Sequence, residues 1–126
     1  MPPTSPARTL LLGTYTAATD SYTGVTATGP SLPVKVTPQS FLTFYLTSIG
    51  TTSGGTIILE EADWNDEQGS PYSGTWSQLA SVAASSFTGG AQAAFHFGPS
   101  SFGYVRARVS VAISGGGSIW IALRSF

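Results

Sequence analysis

The feature that most constrains the fold of this chain is a strict alternation of apolar and polar residues in its last quarter. The alternation covers residues 104–113 and 118–126. One face carries Val105, Ala107, Val109, Val111, Ile113, Ile119, Ile121 and Leu123, and the other carries Tyr104, Arg106, Arg108, Ser110, Trp120, Ala122 and Arg124. A period of two places alternate side chains on opposite faces of a β-strand, whereas a helix would scatter them. Together with the Gly-rich turn at 114–117, the pattern predicts a C-terminal antiparallel hairpin.

Similar stretches recur earlier in the chain, separated by Gly, Ser and Pro clusters. Residues 9–15, 41–49, 56–62, 75–84 and 91–97 are typical of strands, and Pro33 makes 32–37 an edge strand. Residues 51–55 are expected to form a hairpin turn, with loops at 17–30 and 64–74. The chain is therefore predicted to be an all-β antiparallel sandwich, jelly-roll-like, of about seven to eight strands. Residues 1–8 are an extended Pro-rich N-terminal arm, and 9–126 are one domain.

The amino-acid composition excludes some classes of function and favours others. Only 9% of the 126 residues are charged, against about 25% in an ordinary domain. A neutral, hydroxyl-rich chain of this kind is expected to sit permanently against a partner protein, a sugar or copies of itself. The net charge of −1 argues against nucleic-acid binding, which needs a basic stripe. Because there is no Cys, disulfides and thiolate metal sites are excluded.

The N-terminal arm contains Pro2, Pro3 and Pro6 and lacks the apolar core of a signal peptide. No run approaches the roughly 20 apolar residues of a membrane span. The sequence predicts a protein made in a cytoplasm with no membrane partner. We expect the arm to act as a tether across a neighbouring subunit, since proline lowers the entropy lost on ordering.

Most of the negative charge lies in one acidic group, Glu60, Glu61, Asp63, Asp66 and Glu67. Three interpretations remain open. The group is a solvated loop, a set of partners for an Arg patch on a neighbour, or a Ca²⁺ site, although its spacing matches no EF-hand loop. A glycosidase pair is disfavoured, because its two carboxylates must face each other across a cleft.

Neither His96 nor the triple glycine at 115–117 predicts catalysis. His96, the chain's single His, alternates with Phe95 and Phe97 and is expected on an outer strand face, with no Ser-His-Asp arrangement around it. A phosphate-binding loop needs a helix after its glycines, but here a strand pattern follows. We expect no enzyme, no catalytic residue and no cofactor, with Ca²⁺ at the Glu60–Glu67 loop as the alternative left open.

Aromatic and arginine side chains are the candidate interface residues. Alternation places Tyr45, Tyr104 and Trp120 on exposed faces, and Trp64 and Tyr72 in loops. Exposed rings anchor a protein interface or stack on sugars; the alternative is that the arm or loops cover them. The candidate interface comprises these five residues with Arg8, Arg106, Arg108, Arg124 and the three prolines of the arm.

Three stretches in order carry a resemblance: 54–60 (Gly-Gly-Thr-Ile-Ile-Leu-Glu), 74–79 (Gly-Thr-Trp-Ser-Gln-Leu) and 102–109 (Phe-Gly-Tyr-Val-Arg-Ala-Arg-Val). The series resembles small β-sandwich domains of tailed-bacteriophage structural proteins, including capsid cement or decoration proteins and some tail proteins. More loosely, it is similar to discoidin-like carbohydrate-binding modules. It departs from those in the lengthened loop at 65–72 and in lacking an Asp-Gly turn before Trp76.

The phage resemblance implies a non-enzymatic virion component that binds the major capsid protein or other virion proteins. It implies a symmetric homo-oligomer, with a trimer favoured, located in the virion. The alternatives are a tail, neck or fibre component, or a carbohydrate-binding module with a glycan ligand.

Overall fold

The computed structural model describes residues 8–36, 39–62, 64–65, 70–71, 76–98 and 103–125. The strands are β1 Arg8–Leu12, β2 Thr14–Thr16, β3 Ser21–Thr23, β4 Gly29–Pro30, β5 Val34–Lys35, β6 Leu42–Ile49, β7 Gly54–Ala62, β8 Trp64–Asn65, β9 Ser70–Pro71, β10 Ser77–Ala83, β11 Gln92–Phe97, β12 Tyr104–Ser114 and β13 Ser118–Ser125. A 3-10 turn, Ala84–Phe87, is the one helical element of the described residues. Within those residues no helix is long and apolar enough to cross a membrane.

Nine of these strands form two antiparallel sheets. The four-stranded sheet has the order β1-β13-β6-β11. The five-stranded sheet has the order β10-β7-β12-β4, and β5 also pairs with β12. Two small ribbons, β2-β3 and β8-β9, lie outside these sheets.

The strand order is that of a jelly roll. Both β4 and β5 pair with β12, so they act as one interrupted edge strand and the sandwich has eight strands. The order β1-β13-β6-β11 then lies opposite β4/β5-β12-β7-β10. Among the strands of these two sheets, β7 and β10 are the only pair that is consecutive along the chain and also hydrogen-bonded to each other. The predicted all-β antiparallel sandwich is confirmed.

Both predicted hairpins are wrong. Residues 51–53 join β6 to β7 and residues 115–117 join β12 to β13, and in each case the two strands belong to different sheets. The two crossings lie side by side, because Gly117 N–H donates to Thr51 C=O at 2.7 Å and Ser53 N–H donates to Ser114 C=O at 2.9 Å. Alternation correctly predicts which face of a strand is buried, but it carries no information about the partner strand.

The core lies between the two sheets. It is built from the inward faces of β6, β7, β12 and β13, where alternate apolar residues meet; its most buried side chains include Leu42, Phe44, Leu46, Ile57, Leu59, Val105, Val109, Ile119 and Ile121. Phe87 of the 3-10 turn fills one end of it and is 1% exposed. The inward residues expected from alternation in β6, β12 and β13 are confirmed, except Val111. A register shift after Val109 turns Val111 outward, where it is 55% exposed.

The region before β6 departs most from expectation. The predicted strand at 9–15 is broken at Gly13 into β1 and β2, and the predicted loop at 17–30 contains β3, β4 and a bridge between Val25 and Ile119. Gly13 has φ +93°, and a Cβ there would lie 2.7 Å from the Cβ of Trp120. Only glycine permits both this left-handed backbone and the close approach, so the chain folds back over the sheet at this point.

Candidate interface on the outer faces of the sandwich

The outer face of the four-stranded sheet carries one cluster of arginine and aromatic side chains. Because their neighbours in sequence point into the core, alternate residues of β1, β6, β11 and β13 point away from it. A shallow cavity of about 250 Å³ is lined by Arg8, Tyr45, Gln92, Trp120 and Arg124. We call these five residues the arginine pocket. Four of them were predicted interface residues, and Gln92 was not.

The ribbon of β2 and β3 covers one side of the arginine pocket. The ring of Tyr22 stacks on Trp120 with centroids 4.0 Å apart and planes 5° from parallel, and Tyr15 lies 4.9 Å beyond Tyr22. Trp120 is 7% exposed as a result, so the expectation that its ring is exposed is wrong. Asp20 accepts a hydrogen bond from the Tyr15 hydroxyl, and this bond raises the pKa of Tyr15.

Arg8 is held in place by the same aromatic stack. Its guanidinium carbon lies 5.1 Å from the Tyr22 ring centre and 5.6 Å from that of Trp120, and its Nη2 donates to the Tyr22 hydroxyl. Cation–π contacts and a hydrogen bond together restrict a side chain that is otherwise exposed. The cation is thus oriented before any ligand arrives.

Arg124 completes a pair of like charges. It is the direct cross-strand partner of Arg8, and its guanidinium carbon lies 5.9 Å from the Tyr45 ring centre. Its Nε is buried and has no hydrogen-bond acceptor in the described structure. Like charges directly opposite on neighbouring strands repel each other, and no carboxylate of the described residues forms a salt bridge to either arginine. The arginine pocket can therefore accept an anionic group.

The outer face of the five-stranded sheet holds a second charged cluster, centred on Glu60. The Nε atoms of Arg106 and Arg108 both lie 3.0 Å from Glu60 Oε1, and Arg108 Nη2 lies 3.4 Å from Oε2. Trp76 lies over Arg106, with 4.2 Å between the guanidinium carbon and the ring centre. The Glu60 side chain is 6% exposed. Burial alone would raise the pKa of Glu60, but the hydrogen bonds and charges of Arg108 and Arg106 outweigh it, so the pKa is lowered.

This cluster changes the interpretation of three predicted interface residues. Arg106 and Arg108 do lie on the outer face, but both bind a carboxylate of their own chain. Tyr104, expected to be exposed, is 6% exposed, so that expectation is wrong. Glu60 likewise pairs with arginines of its own chain.

Glu61 faces the opposite side of β7 from Glu60. Its Oε2 is buried without a hydrogen-bond partner, and burial raises the pKa of its carboxyl. Adjacent residues of a strand point to opposite faces, so Glu60 and Glu61 cannot converge on one Ca²⁺. Across the described parts of the chain, no three His, Asp or Glu side chains group to hold a metal.

Several predicted candidates lie outside the described residues. These are Pro2, Pro3 and Pro6 of the arm, Tyr72, and the acidic residues Asp63, Asp66 and Glu67. Trp64 belongs to β8, paired with Pro71. His96 lies on the outer face of β11, as predicted, with its Nδ1 2.9 Å from Thr43 Oγ1.

Sequence reasoning missed Tyr22, the residue that organises the arginine pocket. It was assigned to a loop, because β2 and β3 are three residues each and show no long alternation. The available signal was the pair Tyr15 and Tyr22 on either side of a polar turn. No family model and no curated protein sequence matches this chain.

Proposed function

We propose that this protein is a non-enzymatic structural component of a tailed-phage virion that binds the capsid shell and stabilises it as a cement or decoration protein. The jelly roll is a fold of viral capsid and lectin domains, which supports this class of role. A fold hosts many functions, so the proposal depends on the surface. The observation that carries it is the arginine pocket.

The arginine pocket has the composition and rigidity of a binding interface. Arg, Tyr and Trp are the residues enriched at interface hot spots. Arg8 is already fixed against Tyr22 and Trp120, so docking costs little side-chain entropy. An acidic side chain on the capsid protein would pair with both Arg8 and Arg124 and reduce their repulsion.

Co-sedimentation with capsids that lack this protein tests the proposal. We expect Arg124→Gln to weaken binding about tenfold or more, because truncating one partner of a desolvated charge pair typically costs 2–5 kcal/mol. Lys35→Gln is the matched control, since it removes the same charge from the other sheet. Equal binding by Arg124→Gln and the unmodified chain would contradict the assignment of the arginine pocket to the capsid.

The N-terminal arm is the proposed tether. Deleting residues 1–7, which precede β1, leaves Arg8 in place and is expected to lower both capsid affinity and the heat resistance of the decorated capsid. Unchanged values for both would show that the arm is not a tether.

The alternative roles predict other outcomes. A tail, neck or fibre component would co-sediment with purified tails and not with capsids. A carbohydrate-binding module would bind a glycan array and lose affinity when a platform ring becomes alanine. Against a sugar platform, one face of Trp120 stacks on Tyr22 and Arg124 lies over Tyr45.

A further inference from the structure

Three of the four sheet edges carry features that prevent pairing with another strand. Bulges interrupt β1 after Leu10 and β10 after Gln78. The β4/β5 edge is broken into two-residue pieces and contains Pro30 and Pro33. Bulges, prolines and short strands are the usual protections of an exposed edge.

The fourth edge, β11, has none of these features. It runs for six residues in unbroken register with β6, from Gln92 opposite Thr47 to Phe97 opposite Leu42. It contains no Pro, Lys, Arg, Asp or Glu. Among the described residues β6 is its one strand partner, so within that part of the chain the other side of β11 presents backbone groups that no strand pairs.

The hydrogen-bond pattern identifies those groups. Ser48 N–H donates to Ala91 C=O at 3.2 Å, which makes Ser48 and Ala91 a hydrogen-bonded pair. Such pairs alternate along an antiparallel ladder, so every second residue after Ala91 bonds to β6. Gln92, Ala94 and His96 therefore direct their N–H and C=O groups away from β6.

We infer that two copies of this chain pair through β11, antiparallel and about a two-fold axis at Ala94, to form one continuous eight-stranded sheet. In this register Ala94 lies opposite its own copy, and Gln92 of each copy lies opposite His96 of the other. All three outward residues of each strand then form hydrogen-bonded pairs. A shift by two residues would leave some of these groups unpaired.

The side chains are self-complementary in this register. On the core-facing side, Phe95 lies opposite Ala93 of the second copy, so a large side chain meets a small one. Both are half-buried at the open edge, and pairing would cover them. On the outer side, His96 Nδ1 is hydrogen-bonded to Thr43 Oγ1 and Gln92 Nε2 donates to Thr47 Oγ1. In this register His96 Nε2 of one copy would therefore lie opposite the Gln92 side-chain carbonyl of the other.

This dimer differs from the trimer that the phage resemblance favours. A strand edge that pairs with itself in antiparallel fashion generates a closed two-fold assembly. The inference does not depend on the proposed function, because it concerns the edge and not the arginine pocket.

Light scattering and sedimentation of the full chain from micromolar to millimolar concentration test the inference. We expect the mass to rise from 13.0 kDa to twice that value. Ala94→Pro should abolish the dimer and keep the monomer fold, since its N–H faces away from β6 and proline is tolerated there. Ala94→Thr keeps the N–H and should still dimerise. A monomer at every concentration, a trimer, or a dimer that survives Ala94→Pro would overturn the inference.

Amide hydrogen exchange of the unmodified chain gives a second readout that does not depend on any variant folding. In dilute solution the amides of Ala93, Phe95 and Phe97 should be protected, and those of Gln92, Ala94 and His96 should exchange freely. At high concentration the second set should gain at least tenfold protection. A dimer without that gain would use another surface and would also overturn the inference.

Discussion

Glu60 and Glu61 are adjacent in sequence but experience opposite surroundings, because they lie on opposite faces of β7. Glu60 accepts hydrogen bonds from Arg106 and Arg108, whereas Glu61 has a buried oxygen with no partner. The same Glu→Gln exchange at these two positions therefore makes a matched pair of variants.

Glu60→Gln is expected to destabilise the fold by about 2 kcal/mol. This value lies between that of an exposed ion pair and that of a fully buried one, since the two arginine side chains are 20% and 36% exposed. The variant leaves Arg106 and Arg108 facing each other without their shared anion. Urea unfolding at neutral pH measures the change, and a loss below about 0.5 kcal/mol would mean that solvent already screens the cluster.

Glu61→Gln is expected to stabilise the fold at neutral pH, by about 1 kcal/mol, because it removes a charge whose oxygen is buried and unpaired. The gain should shrink as the pH falls, since the unmodified Glu61 then becomes protonated. A stability gain that did not change with pH would indicate a packing effect instead of a charge effect.

The two carboxyls also give opposite pH dependences. The lowered pKa of Glu60 contributes stability that is present above its unfolded pKa and lost as the pH falls through its folded pKa. The raised pKa of Glu61 acts the other way, so stability decreases as the pH rises through its folded pKa. Unfolding curves of the two variants across the acidic range should diverge from the unmodified chain in opposite directions.

At the scale of elements, the β2-β3 ribbon covers the arginine pocket mainly through the stacking of Tyr22 on Trp120. Tyr22→Ala removes the ring that covers Trp120 and steadies Arg8, and it should cost about 1–2 kcal/mol and reduce the near-ultraviolet circular dichroism. Tyr22→Phe keeps the stack and is the control for the hydroxyl bond to Arg8. Equal stability of all three proteins would show that the ribbon does not hold the pocket together.

Sequence reasoning predicted strands well and their partners poorly. The faces of β6, β11, β12 and β13 follow from alternation, because burying one face requires a period of two. Alternation does not predict which sheet a strand belongs to. A Gly-rich turn of four residues can join two strands of one hairpin or two strands of different sheets equally well. Arg8 and Arg124 lie opposite each other only because β1 and β13 belong to the same sheet. Each arginine could therefore be predicted as an interface residue, but their proximity could not.

At the scale of the whole molecule, β13 is central to the four-stranded sheet. It lies between β1 and β6 and pairs with both. A chain of residues 1–117 is expected to remain unfolded, because β1 loses its sheet partner and the core is open. Adding a peptide of residues 118–126 should restore structure, and removal of residues 1–7 should leave the fold intact. A cooperatively unfolding fragment 1–117 would contradict this prediction; circular dichroism with thermal melting measures it.

The late position of β13 has a consequence for synthesis. The ribosome delivers β1 first, yet β1 must wait for a strand made about a hundred residues later, because most pairings in this sandwich join distant parts of the chain. During that time the inward faces of β6, β7 and β12 have no closed core to enter, and exposed strands of this kind are prone to associate with other chains. Slow codons within residues 118–125 should therefore prolong this exposure and lower the yield of soluble protein, and a chaperone that covers the strands should restore it.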